Sequence, residues 1–170
     1  MSGFTVLAPG VLSLLQDSGR FGQGALGLTN GGPMDAPSAA WANRLLGNHS
    51  NATLIECSVG GLQLRANNNS YIAVTGATLP LSINGQAAEQ WTTHKVQAGD
   101  VIELGMVSQG LRAYLAVAGG FAVTPQFGSV STVLREGIGG LNGNKLQAGD
   151  QLAASRVENL LRQRLPACYQ

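Results

Sequence analysis

Apolar and polar positions change places in short runs along most of this chain. Residues 3–8, 54–57, 61–64, 71–75, 79–83, 95–96, 101–104 and 112–117 are short apolar or alternating stretches, and each is predicted as a strand. Polar or glycine-bearing turns separate them: Asn67-Asn68-Asn69, Asn84-Gly85, Ala98-Gly99-Asp100 and Ser108-Gln109-Gly110. Asn84-Gly85 predicts a two-residue hairpin, because both central residues of a type I′ turn need positive φ. Residues 11–16, VLSLLQ, are a further apolar run that ends at Asp17. Helical spacing appears once in the body, over 36–46, where Ala39, Ala40, Ala42, Leu45 and Leu46 follow it. Asp35 is placed to cap that helix, Pro37 fits its first turn, and Gly47 is a natural stop. Between the last N-terminal strand and the helix lies the glycine-rich stretch 17–35, DSGRFGQGALGLTNGGPMD, too long for a plain connection in a compact domain. The tail, 156–170, carries an apolar stripe at Val157, Leu160, Leu161 and Leu165 that Pro166 ends.

One segment echoes another. VQAGDVIEL at 96–104 is repeated as LQAGDQLAA at 146–154, a Gly-Asp turn feeding a strand, used twice. Many short strands with turn signals between them define a mainly β domain, a barrel or a sandwich, with one or two short helices. Composition agrees. Charged residues make up 11% of the 170 residues, too few for a helical bundle, while 24 glycines suit tight turns. A hydrophobic share of 44% is enough for a core.

Charge excludes some partners. The net charge is +1, and outside the tail seven basic groups face eight acidic ones, so no basic groove for nucleic acid is expected. No apolar run is long enough for a bilayer, so no membrane role is expected. MSGFTVLAPG lacks a basic segment followed by an apolar one, and a cytoplasmic protein is expected. Cys57 and Cys168 lack CxxC spacing. Cys57 reads as a small buried residue rather than a metal ligand.

The familiar catalytic motifs are absent. There is no GxSxG, no HExxH, and GIGGLNGNK at 137–145 lacks the GK[ST] ending of a phosphate loop. Neither lysine lies in a Met-Lys-Met setting, and His49 and His94 read as surface or capping residues. Polar groups do gather near glycines. Gln16, Asp17 and Arg20 flank Gly19, while Gly31, Gly32, Met34 and Asp35 precede the helix. Such a segment either presents backbone amides to an anion or simply turns the chain and caps the helix. Arg44 and Glu56 stand in mostly apolar surroundings and could form a buried pair. Arg112 and Tyr114 share one face of their strand. Ser129, Ser131, Thr132 and Arg135, followed by Gly139 and Gly140, could cradle a carboxylate or phosphate, or form a hydrated loop.

Taken in order, LAPGVLSLLQDSGRFG, GGPMD, ANRLLGN, LIECSVGGLQL, AVTGA, RAYLAVAGGF and GSVSTVLREGIGGLNGNKLQAGD resemble the biotin-dependent carboxyltransferase family, whose members include allophanate hydrolase subunit 2 and a 5-oxoprolinase subunit. The resemblance implies a cyclophilin-like β-barrel lobe over 1–155, with 156–170 as a tail or linker. It covers the first of two such lobes. It implies part of an ATP-dependent 5-oxoprolinase, working with a paralogous partner subunit and a third, ring-opening subunit on a small carboxylate or amide. Because the match begins within a few residues of Met1, the stand-alone subunit is the expected form. The alternative it implies is carboxyl transfer from biotin to urea or a related amide. A further alternative is a non-catalytic module that binds a regulatory partner. The segments place Gln16, Asp17, Arg20, Gly31, Gly32, Met34 and Asp35 at a substrate pocket, with Arg112, Tyr114, Arg135, Gly139 and Gly140 binding substrate or holding anionic groups. With one lobe only, the isolated chain is expected to be inactive and to self-associate through the exposed lobe surface.

Overall fold

The computed structural model describes residues 3–154, residue 160 and residues 163–165. Eleven strands are formed among them: β1 (Gly3–Pro9), β2 (Leu12–Gln16), β3 (Leu54–Ser58), β4 (Leu62–Ala66), β5 (Ser70–Thr78), β6 (Leu81–Ile83), β7 (Gln86–Ala88), β8 (Thr93–Val96), β9 (Val101–Leu104), β10 (Gln109–Val117) and β11 (Gln151–Ala153). One α-helix, α1 (Ala36–Leu45), and one 3-10 turn over Gly24–Leu26 complete the elements. The domain is mainly β, as expected.

The strands build two antiparallel sheets, ordered β11-β1-β4-β9-β6-β7 and β2-β3-β10-β5-β8. No strand belongs to both. The expected β-barrel is therefore corrected to two separate sheets that do not close into a barrel. Alternation explains how they pack. Phe4, Val6, Leu62, Leu64, Ile102 and Leu104 from the first sheet meet Leu15, Ile55, Ile72, Val74, Leu115 and Val117 from the second in one core. Phe4 and Phe121 meet edge to face within it, ring centres 5.9 Å apart.

The opposite face of the second sheet is covered differently. Ala39, Ala42, Leu45 and Leu46 of the helix region pack there on Leu54, Ala73, Tyr114 and Ala116. Strand β3 is thus buried on both faces along its whole length. A glutamate at position 56 has no route to solvent and must find partners inside. Helix α1 is held as its sequence requires: Asp35 accepts from the Ser38 amide at 3.1 Å and the Ser38 hydroxyl at 2.6 Å, and Gly47 follows with φ 65°.

The turns follow their residues too. Asn84 and Gly85 have φ of 54° and 75° and join β6 to β7. The repeated QAGD segments adopt one arrangement twice. Asp100 accepts from the Gln97 amide at 2.7 Å and Asp150 from the Gln147 amide at 2.8 Å, and each turn hangs on a neighbouring strand, at Ala66 and Val6. Most strand bounds differ from expectation by one to three residues, and one strand, β7, is unexpected. Strand β4 starts at Leu62 rather than 61, because Gly60 and Gly61 hold φ of 108° and 85°. Strand β7 is an exposed edge without apolar alternation, so its pattern carries no signal. Val157 and Leu161 of the tail stripe, and Cys168, lie outside the described residues. Leu160 packs against the helix cluster, and Leu165 is buried, its amide donating to the Trp91 carbonyl.

Candidate functional site

The predicted residues fall into two polar clusters on either side of the start of α1. The first forms under the glycine-rich loop. Asp17 directly follows β2 and is buried, and its carboxylate accepts from Ser129 Oγ at 2.5 Å, Ser131 Oγ at 2.7 Å, the Val130 amide at 2.9 Å and the Gly19 amide at 2.9 Å. Burial alone would raise its pKa. Those hydrogen bonds outweigh it and hold Asp17 below its ordinary value. Arg20, 1% exposed, donates to the Ser131 carbonyl at 2.9 Å and, at longer range, to those of Ser129 and Gln126. One segment, 129–131, thus serves the anion with hydroxyls and an amide and the cation with carbonyls, while Arg20 Nη1 is buried without a partner among the described residues. Gln16 is buried above it and donates to the Thr132 carbonyl at 3.3 Å.

The glycines here are required by close approach. The Arg20 amide donates to the Asn30 carbonyl at 2.6 Å and closes the loop at its stem. A side chain at Gly31 would press on Ser131, and one at Gly32 on the Ser18 carbonyl, both at 3.0 Å. Gly139 and Gly140 sit against Ser131 and Thr132 so tightly that a Cβ would overlap their atoms. These glycines let 137–140 lie on the Asp17 cluster. They do not present amides to solvent as a phosphate cradle would.

The second cluster hangs from Glu56. Its Oε2 accepts from the Tyr114 hydroxyl at 2.8 Å and from the Met34 amide at 2.7 Å. The Tyr114 oxygen accepts from the Asp35 amide at 2.7 Å. The other carboxylate oxygen, Oε1, lies 3.6 Å from Arg112 Nε, an ion pair without a hydrogen bond. Burial raises the Tyr114 pKa, the Asp35 amide opposes this, and the Glu56 charge adds to the rise. The phenol therefore stays protonated and donates. Arg44, considered as a partner for Glu56, lies instead over the Trp41 ring at 5.2 Å.

A cleft of about 180 Å³ opens between the first cluster and α1, lined by Gln16, Asp17, Ser18, Pro33, Ala36 and Ala40 among others. Gln16 pairs with Leu54 and Arg112 with Ser58, so the two are about 13 Å apart along β3. A small ligand in the cleft and one on Arg112 are not the same ligand. Arg135 stands apart. It is exposed and donates to Thr29 Oγ1 at 2.9 Å and to Glu136 at 3.2 Å. Glu136 in turn accepts from the Thr29 hydroxyl and amide, and these bonds, led by the hydroxyl, lower its pKa. This is a surface clip on the loop. His49 and His94 make only local bonds, at the Asn51 amide and the Glu89 carbonyl. Among the described residues no group of His, Cys, Asp and Glu could hold a metal. Cys57 is buried in the core, which raises its thiol pKa.

The sequence places Arg112 and Tyr114 at the site, but Glu56, which joins them to Met34 and Asp35, only as a candidate for a buried pair with Arg44. Glu56 offers one sign, an acid inside an apolar run. Ser129 and Ser131, read as either an anion cradle or a hydrated loop, face Asp17.

A two-sheet β domain with one covering helix is the fold of a carboxyltransferase-type module. The chain belongs to the carboxyltransferase domain family, subdomain A and B, which it matches over residues 26–168. It is 38% identical to a 5-oxoprolinase subunit of Escherichia coli (strain K12) over 149 residues, 86% of this chain and 47% of that protein. It is also 38% identical to urea amidolyase of Lachancea kluyveri over 156 residues, 91% of this chain and 8% of that protein. The chain thus spans about half the length of the first relative and a small part of the second. A crystal structure of TTHA0988 superposes with a TM-score of 0.88 at 35% identity, over 96% of this chain and 60% of that one. The crystal structure of K. lactis urea amidolyase gives 0.86 at 38%, over 88% and 9%.

Proposed function

We propose that this chain is the N-terminal lobe, residues 1–155, of a subunit of an ATP-dependent 5-oxoprolinase that works in the cytoplasm with partner subunits. One observation carries the choice of substrate. Arg112 projects from the outer face of the second sheet with its Nε buried and without a hydrogen-bond acceptor among the described residues. Its ion pair with Glu56 is loose, at 3.6 Å, and its side chain is 23% exposed, so the exposed part of the guanidinium can seat a carboxylate. The substrate 5-oxoproline carries a carboxylate and urea does not, although carboxybiotin, the donor in the second reading, does. Relatives named as 5-oxoprolinase subunits support the same reading. ATP enters through the assembled complex. The 137–140 glycines are occupied by packing and do not fit its phosphates, so no step is routed through them. No helix among the described residues is long and apolar enough to cross a membrane.

The second reading, biotin-dependent carboxyl transfer to urea or a related amide, is favoured by the equal identity to urea amidolyase. The two separate in one assay. The full complex with its partner subunits is expected to hydrolyse ATP in a 5-oxoproline-dependent manner. Residues 1–170 alone are expected to give no turnover. Urea-dependent turnover with carboxybiotin, and none with 5-oxoproline, would replace the first reading with the second.

A further inference from the structure

We infer that Glu56 and Tyr114 are positioning residues that fix the turn at Met34 and Asp35 against the sheet, leaving Arg112 as the substrate-binding group of the cluster. The substrate part of this inference rests on the 5-oxoprolinase reading. The geometry divides the labour. Both oxygens of Glu56 are spoken for, one by the turn and one by the cation. Oε2 takes the Met34 amide and the Tyr114 hydroxyl, and the Tyr114 oxygen takes the Asp35 amide. Two successive main-chain amides of the GGPMD turn are therefore held by two side chains from neighbouring strands, β3 and β10. Tyr114 is fully buried and Glu56 nearly so, and neither can touch a ligand from outside. Arg112 is 23% exposed at its side chain and can. The ion pair at 3.6 Å leaves its Nε free of a hydrogen bond.

The turn is one wall of the site and the start of α1. It carries Asp35, whose carboxylate caps the helix. Removing the Tyr114 hydroxyl leaves the Asp35 amide without its acceptor and deprives Glu56 of one donor. The turn then detaches, while Arg112 stays where β10 puts it. Loss of Arg112 has the opposite result: the anion seat disappears and the turn remains bonded.

Tyr114→Phe, Glu56→Gln and Arg112→Met separate these roles. In the isolated chain, amide hydrogen exchange at Met34 and Asp35 is expected to speed up about tenfold or more in Tyr114→Phe and Glu56→Gln. Leu115, in the core of the same strand, serves as an internal control and is expected to keep its rate. Arg112→Met is expected to leave the turn amides protected, and to abolish the shifts that 5-oxoproline or acetate causes at residue 112 and its strand neighbours. In the assembled enzyme, Tyr114→Phe and Glu56→Gln are expected to lower kcat roughly tenfold with little change in KM, and Arg112→Met to raise KM by at least as much. Unchanged exchange at Met34 and Asp35, or a rise in KM in Tyr114→Phe equal to that in Arg112→Met, would overturn the inference. A complex inert toward 5-oxoproline speaks against the functional reading alone, and the exchange and acetate arms still decide this one. Should Glu56→Gln fail to fold, Tyr114→Phe carries the same test.

Discussion

Replacing Asp17 with alanine is expected to lower the folding stability of this domain by roughly 3–5 kcal/mol, measured by urea denaturation. Four donors converge on its carboxylate: the hydroxyls of Ser129 and Ser131 and the amides of Val130 and Gly19. The Ser129 hydroxyl and the Val130 and Gly19 amides would be left unpaired, Ser131 Oγ would keep only the main-chain carbonyl of residue 17 at 3.2 Å, and the buried Arg20 would lose the negative charge that shares its segment. Because these costs are not additive, the total stays below their sum. Acid should unfold the protein through the same group. The folded-state pKa of Asp17 lies below its ordinary value of 3.8. Its contribution is therefore complete above the unfolded-state value and is lost as pH falls through the lower, folded-state value. Asp17→Asn should remove this group's share of the acid limb, giving a flatter stability profile below about pH 4. A loss under about 1 kcal/mol in Asp17→Ala would mean that the cluster does not hold the loop.

This result would also decide how the conspicuous loop is to be understood. Asp17 and Arg20 stand out in the sequence as charges among glycines, the usual look of a binding loop. The structure turns both inward, onto 129–131. The reason is not visible in local sequence, because their partners lie more than a hundred residues away. Where the information is local, the sequence is sufficient. Asn84-Gly85 gives its hairpin, Asp35 and Gly47 bound the helix, and the two QAGD segments give two matching turns. Each depends on residues within a few positions of one another. The alternation of apolar residues likewise marks most of the strands. It fails at β7, whose exposed edge buries nothing and so leaves no pattern. Closure into a barrel cannot be read from alternation, since facing sheets and a barrel impose the same period on each strand. Glu56 lies between these cases. Its burial follows from a strand covered on both faces, but which cation and which amides it meets depends on the pairing of β3 with β10 and on a loop returning over the sheet.

The glycines at the far side of the same cluster give the second large effect. Gly139→Ala is expected to destabilise the domain by roughly 3 kcal/mol or more, whereas Gly137→Ala should cost only about 1 kcal/mol. Both residues have left-handed backbones, with φ of 75° and 63°, so both substitutions carry the same conformational penalty. What differs is the space. A Cβ on Gly139 would overlap the Ser131 carbonyl and crowd the Val130 carbonyl, which are backbone atoms that cannot rotate aside, while nothing lies within 4 Å of one on Gly137. Ser131 is the residue whose hydroxyl holds Asp17 and whose carbonyl holds Arg20. Displacing it therefore loosens both charges at once. For that reason Gly139→Ala combined with Asp17→Ala should cost less than the sum of the two, since each breaks the same cluster. Thermal or urea unfolding of the two glycine variants and the double variant tests this directly. Equal losses in Gly137→Ala and Gly139→Ala would mean that 137–140 does not rest on Ser131 in solution, and that these glycines are free to face a ligand after all.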